Sequence, residues 1–201
     1  MLDARLRRLI DPPLERLAGH LAGLGLSANA VTLIGFALGL CAMAAIALRA
    51  YPLGLALLLV NRLCDGLDGA LARRRGLSDL GGFLDITLDF IVYAGVPLAF
   101  ALADPARNGL AAAFLIFSFV GTGTSFLAFA VMAAKRGLST ELRGRKSLYY
   151  LGGLTEGTET ILAFVVACLL PGWFPTIAWI FGGLCWLTTA TRIAVAWQAL
   201  R

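Results

Sequence analysis

Apolar runs of about twenty residues recur from Ser27 onward with short basic segments between them, and they leave this chain few ways to fold. A helix of that length matches the ~30 Å hydrocarbon core of a bilayer, and a helix satisfies its own backbone polar groups where lipid offers no partner. The runs cover Ser27 to Leu48, Pro52 to Arg75, Gly82 to Leu102, Asn108 to Ala134, Leu154 to Leu170 and Phe174 to Trp197. We therefore expect an all-α integral membrane protein of about six transmembrane helices. Residues 1–26 read as an amphipathic membrane-surface helix and 27–201 as a six-helix transmembrane domain. In the first segment Asp11 precedes Pro12 and Pro13, the pattern of an N-cap with proline in the first turn. Leu14, Leu17, Ala18 and Leu21 then share a face opposite Glu15, Arg16 and His20, and the histidine reads as a surface residue.

Composition narrows the function classes. Hydrophobic residues make up 59% of the 201 and charged residues 14%, which is a membrane composition and not a soluble one. The net charge of +5 would suit nucleic acid, but the basic residues form no stripe interleaved with aromatics, so no nucleic-acid partner is expected. Cys41, Cys64, Cys168 and Cys185 stand singly in apolar runs and read as small buried hydrophobes. The N-terminal segment, Arg73 to Arg75, Lys135 to Lys146 and the C-terminus hold nearly all Lys and Arg. The intervening loops have only Arg49 and Arg107. By the positive-inside rule the termini and the Arg73 end of the second span face the cytoplasm, as in a multi-pass protein of a bacterial inner membrane.

One segment breaks the apolar pattern. Asp65 and Asp68 stand three apart ahead of the arginine cluster, and Asp85 and Asp89 stand four apart after it, so each pair lies on one face of its own helix. The apolar part of the second span ends by Val60, too short to cross alone, so these carboxylates lie within the membrane. Asp65 sits about 12 Å from the Arg73 end and Asp89 about 10 Å from the start of the next span, which gives the pairs matching depth. Four aspartates in lipid cost on the order of 10 kcal/mol on insertion scales. Divalent cations offset that cost, and oxygen ligands without His or Cys favour hard ones. Two such ions would serve phosphoryl transfer, which needs charge neutralisation and in-line positioning. Gly66 and Gly69 inside a span cost roughly 1 kcal/mol each, a loss that close backbone contact with a ligand would explain.

The pattern Asp65-x2-Asp68-Gly69-x2-Ala72-Arg73, seven residues, Gly81-x3-Asp85-x3-Asp89 resembles the signature of the CDP-alcohol phosphotransferase (phosphatidyltransferase) family, with every fixed position filled. The resemblance implies a metal-dependent transferase of phospholipid biosynthesis. It would use Mg2+ or Mn2+, as two ions, to move a substituted phosphoryl group from a CDP-linked lipid donor such as CDP-diacylglycerol to a small polar alcohol, releasing CMP. It further implies a homodimer in membrane lipid. By the same resemblance Asp65, Asp68, Asp85 and Asp89 hold the metals and Asp89 doubles as general base. Asn29, Thr32, Asp68, Gly69, Ala72, Arg73 and Gly81 would meet the donor.

Other polar residues leave alternatives open. Arg62 contacts a phosphate or balances the carboxylates. Arg62, Lys135, Arg145, Lys146 and Arg192 are the candidates for an acceptor that is itself anionic, although Arg192 also reads as a snorkelling structural arginine. Positive-inside anchoring explains Arg143, Arg145 and Lys146 but not Glu156 and Glu159. Two other classes compete: a membrane prenyltransferase with aspartate-bound Mg2+, and an ion or proton transporter using intramembrane carboxylates. Turnover separates the three, since the first class releases CMP, the second pyrophosphate and the third neither.

Overall fold

The computed structural model describes residues 2–137 and 154–201, with side chains from residue 11 onward. Among them are seven α-helices and no strand: α1 (Leu2–Gly23), α2 (Ala28–Ala47), α3 (Tyr51–Arg75), α4 (Asp79–Ala103), α5 (Pro105–Lys135), α6 (Gly157–Leu169) and α7 (Phe174–Ala199). One turn of 3-10 helix, Pro171–Trp173, leads into α7. Helices α2, α4, α5 and α7 are long and apolar enough to cross a membrane. At 25 residues, α3 reaches about 37 Å, but its second half is polar. The 13 residues of α6 reach about 20 Å, less than a bilayer core. It need not meet lipid along its length, because it packs against α3 and α7.

The outer surface carries many exposed large apolar side chains, such as Leu33, Leu40, Phe83, Leu98, Phe117 and Ile180. A soluble monomer rarely tolerates so much contiguous apolar surface, whereas lipid requires it. Lipid also removes the usual hydrophobic drive for helix association, so close packing of small residues has to supply it. The sequence does this on α2, whose Gly35 and Gly39 face inward. A Cβ on Gly35 would stand 2.8 Å from that of Cys64, and one on Gly39 would stand 2.9 Å from Val92 Cγ2. Helices α3 and α4 therefore both approach α2 closely. Farther along, Phe100 stacks between Tyr51 (5.7 Å) and Phe174 (4.3 Å), tying the far ends of α3, α4 and α7 together.

Three local expectations are corrected. No new helix starts at Asp11: α1 runs through Pro12 and Pro13 as one helix, at the cost of the two backbone donors that proline lacks. Its Leu14 and Ala18 pack on Val31, Leu67, Ala70 and Leu71, so part of the apolar face seals against the protein, while Leu17 stays exposed. Leu14 sits where a Cβ of Gly66 would be, 2.7 Å from Cδ1, so helix packing and not a ligand accounts for that glycine. Cys41 is exposed, and Cys168 and Cys185 are buried, because Cys41 falls on the outward face of α2. His20 is exposed and its Nδ1 lies 2.9 Å from the Arg16 carbonyl.

Caps set the helix starts. Ser27 Oγ accepts from the Ala30 N–H, and Ser78 Oγ from the Gly81 N–H, so α4 opens at Asp79, three residues before Gly82, where its span was placed. Gly76, at φ 108°, ends α3 in a conformation that a side chain would resist. The Glu156 and Glu159 side chains close a reciprocal capping box at the start of α6, which gives both a structural task.

Candidate active site

Each aspartate is placed by the helix that bears it. Asp65 and Asp68 fall on the side of α3 facing α2 and α4, because Asn61 on the same side donates from Nδ2 to the Gly35 carbonyl at 2.8 Å and pins the rotation of α3. Asp85 and Asp89 are one turn apart on α4, held near α2 by its glycines. All four line one cleft together with Thr32, Asn61 and Arg62. Carboxylate oxygens of Asp65, Asp68 and Asp85 lie within 4.8 Å of one another, a spacing one ion can bridge. Asp68 is buried, and Thr32 Oγ1 donates to its Oδ2 at 2.6 Å. Three carboxylates fit a hard dication in kind and in spacing.

Asp89 is placed differently. Arg62 Nη2 donates to its Oδ1 at 2.7 Å, and Arg62 Nη1 lies 3.8 Å from Asp65 Oδ2. Arg62 thus pairs with Asp89 in this structure.

The remaining expected residues divide. Asn29 borders Gly81, where a Cβ would stand 3.1 Å from Asn29 Oδ1 and 2.9 Å from Ser78 Oγ. Close packing alone thus favours glycine there. Among the described residues a Cβ at Gly69 would meet only Arg73 Nη1, at an ordinary 3.5 Å, so their packing gives no reason for that glycine. Ala72 lies one turn before the α3 terminus. Arg73 is turned to α1, where its Nε and Nη2 donate to Glu15 Oε1 at 3.2 and 2.9 Å, and Arg74 donates to Oε2 at 3.1 Å. Hydrogen bonds from Arg73, then Arg74, hold the Glu15 carboxyl below its ordinary range.

Arg192 is buried on α7. Its Nη1 donates to the Thr122 carbonyl at 2.9 Å and its guanidinium lies 5.7 Å from the Phe126 ring. It lines a cavity of about 150 Å³ with Tyr93, Thr155, Glu156 and Thr160. Lys135 is exposed at the end of α5 and lines neither the cleft nor this cavity. Arg143, Arg145, Lys146, Tyr149 and Tyr150 lie outside the described residues.

Sequence reasoning missed two residues that the geometry brings forward. Tyr93 lines the Arg192 cavity while its hydroxyl accepts from Arg62 Nη1 at 3.3 Å, so it stands between the two hollows. Its spacing of four from Asp89 was a usable signal. Asn61, next to Arg62, anchors α3 to α2. Among span-forming helices a buried amide that bonds a glycine carbonyl is a recurrent packing device.

An α-helical membrane fold with carboxylates converging between its helices defines a polytopic membrane protein with an acidic centre. Comparison with known proteins makes the class specific. Residues 26–195 match the family model described as CDP-alcohol phosphatidyltransferase, and the chain belongs to that family. It is 54% identical over its full length to the Inner membrane protein YnjF of Escherichia coli, covering 98% of that protein. It is 31% identical to an Archaetidylinositol phosphate synthase of Pyrococcus horikoshii over 98% of this chain and 97% of the relative. The fold is shared with the phosphatidylinositol phosphate synthase PgsA1 of Mycobacterium tuberculosis, solved with CDP-DAG bound. The TM-score is 0.68 at 21% identity, over 92% of this chain and 93% of that one. A second structure of PgsA1, in complex with manganese and citrate, gives 0.68 at 23% identity, over 92% and 88%.

Proposed function

We propose that this chain transfers a phosphatidyl group from CDP-diacylglycerol to the hydroxyl of an alcohol and releases CMP, with Asp65, Asp68, Asp85 and Asp89 holding divalent ions and Asp89 also acting as base. The observation that carries this reading is the convergence of three carboxylate groups within 4.8 Å beside a fourth that lines the same cleft. Mg2+ or Mn2+ bound there would neutralise the diphosphate and polarise its P–O bond. The acceptor oxygen forms a bond to the lipid-side phosphorus, the bond from that phosphorus to the CMP oxygen breaks, and CMP leaves with the electron pair. Asp89 takes the hydroxyl proton. Gly69 leaves room for the diphosphate against the α3 backbone, and Asn29 and Thr32 border the same side. A cleft lying between spans lets the donor keep its acyl chains in lipid, which supports a lipid-linked donor.

The same reading extends to sidedness. Arg73 to Arg75, Lys135 and Arg136 stand at one end of the bundle. At the other, Arg49 donates to the Ala103 carbonyl and Arg107 to that of Gly172. That asymmetry supports a cytoplasmic cleft, with α1 lying on the cytoplasmic membrane surface and residues 27–201 forming the catalytic bundle.

For the acceptor we favour a phosphorylated polyol. Relatives named for making inositol phosphate lipids support it, as does Arg192 lining a hollow next to the cleft. Given CDP-diacylglycerol, Mg2+ and a panel of inositol phosphate, glycerol phosphate, serine and choline, the protein should release CMP with the phosphorylated acceptors and not with serine or choline. Arg192→Ala should raise the acceptor KM about ten- to a hundredfold, the worth of a hydrogen bond to a charged group, and leave the donor KM unchanged. An unchanged acceptor KM would remove Arg192 from the site.

A further inference from the structure

Three successive arginines end α3, and each engages α1. Arg73 and Arg74 divide the Glu15 carboxylate between them. Nε and Nη2 of Arg73 take Oε1, at 3.2 and 2.9 Å, and Nε of Arg74 takes Oε2, at 3.1 Å. Arg75 donates to the Ala22 and Gly25 carbonyls at the C-terminal end of α1. Anchorage of α1 accounts for Arg75, but α1 also has Leu14 and Ala18 buried against α2 and α3, and needs no further hold in the middle. Arg73 and Arg74 are exposed, and an exposed ion pair contributes little to stability. What the Glu15 pairs do fix is orientation.

A guanidinium is a rigid planar fork, so gripping its Nε and Nη2 decides where the third nitrogen points. Nη1 of Arg73 lies 3.5 Å from the position a Cβ would take on Gly69. Asp65, Gly69 and Arg73 stand at successive intervals of four on α3, so they share one face, and Asp65 lines the acidic cleft. The space left by Gly69 is thus bordered by carboxylates toward the cleft and by a doubly gripped cation toward α1. A free arginine at the surface samples many rotamers, and a ligand that recruits it loses affinity to the ordering. Glu15 orders Arg73 before any ligand arrives.

We propose that Glu15 is a positioning residue for donor binding: it orients Arg73 so that Nη1 meets the diphosphate of a CDP-linked molecule in the space that Gly69 leaves. The proposal rests on the phosphatidyl-transfer reading above for the identity of the donor, and nucleotide binding tests it without turnover.

The test uses the purified full chain with Mn2+. CDP affinity is measured by equilibrium dialysis, Mn2+ affinity by EPR, and donor and acceptor KM by CMP release. Glu15→Ala should weaken CDP binding and raise the donor KM about tenfold, within the worth of a hydrogen bond to a charged group, with the acceptor KM and Mn2+ affinity unchanged. Removing a negative charge near a diphosphate would by itself tighten binding, so the sign separates orientation from electrostatics. Arg73→Ala should weaken CDP at least as much. Adding Glu15→Ala to Arg73→Ala should change CDP affinity no further, because the carboxylate acts through that arginine. Arg74→Gln loosens the clasp on α1, leaves the Arg73 bonds in place and removes a charge that solvent screens, so it should change CDP affinity by less than about twofold. Four results would each overturn the proposal: unchanged or tighter CDP binding in Glu15→Ala, a loss of Mn2+ binding in that variant, an equal loss of CDP in Arg74→Gln, or a further loss when Glu15→Ala joins Arg73→Ala. Wild-type protein that binds CDP but releases no CMP with any acceptor would overturn the phosphatidyl-transfer reading alone, and weaker CDP binding in Glu15→Ala would still support the role of Glu15. Wild-type protein that binds no CDP would overturn both.

Discussion

Asp68→Asn should end CMP release, with a loss of about a thousandfold or more, since a bound dication supplies several kcal/mol of charge stabilisation to the transition state. Asparagine keeps the shape of the side chain and can still accept from Thr32, whose Oγ1 lies 2.6 Å from Asp68 Oδ2, so the fold has little reason to change. What it removes is a negative charge from a set whose oxygens lie within 4.8 Å of one another. Metal affinity should therefore fall with activity, and Asp65→Asn and Asp85→Asn should behave alike because each supplies one oxygen to the same set. Mn2+ titration by EPR, run beside the CMP assay, checks both. Wild-type Mn2+ affinity in all three variants would show that these carboxylates do not form the metal centre.

Asp89→Asn should act on a different step. A positioned general base is worth about a hundred- to ten-thousandfold, so kcat should fall within that range. Donor KM should change far less than in the Asp68 variant, because the proton that Asp89 takes comes from the acceptor. The described side chains offer no alternative route through a covalent enzyme intermediate. His20 bonds a carbonyl of its own helix on α1, away from the cleft, and the Cys64 side chain packs on Gly35 of α2 and does not line the cleft. Direct attack by the acceptor inverts configuration at phosphorus. Chiral-phosphorothioate donors should give inverted product, and retention, or a labelled adduct formed from donor alone, would rule out a single displacement.

How much of this was legible in the residues follows from what each signal depends on. Helix order follows from hydropathy, because the ~30 Å bilayer core imposes its length on the runs of α2, α4, α5 and α7. The four aspartates follow from helical periodicity, since spacings of three and four leave their pairs no choice of face. Which oxygens converge was not legible: that those of Asp65, Asp68 and Asp85 come within 4.8 Å of one another depends on how α3 packs on α2 and α4, and Asn61 helps to fix that through its bond to Gly35 of α2, 26 residues away. Arg62 could be read as balancing carboxylates, but which carboxylate it holds is a tertiary fact. The third span was read from Gly82 onward, whereas the Ser78 hydroxyl caps a helix that opens at Asp79. Glu156 and Glu159 went unexplained because a capping box usually opens with Ser or Thr. Gly66 shows the opposite error: the cost of an in-span glycine was read as evidence of a ligand, but Leu14 of α1 occupies the space.

The central claim is that this cleft transfers a CDP-linked phosphoryl group to an alcohol, and product analysis tests it most directly. Purified protein in detergent or lipid is incubated with CDP-diacylglycerol, Mg2+ or Mn2+ and an inositol or glycerol phosphate, and nucleotide and lipid products are measured together. CMP and a new phospholipid should appear in equal amounts, and both should stop after exhaustive EDTA treatment and resume when the metal is restored. Absence of CMP with every acceptor, or CMP release undiminished by EDTA, would contradict the account.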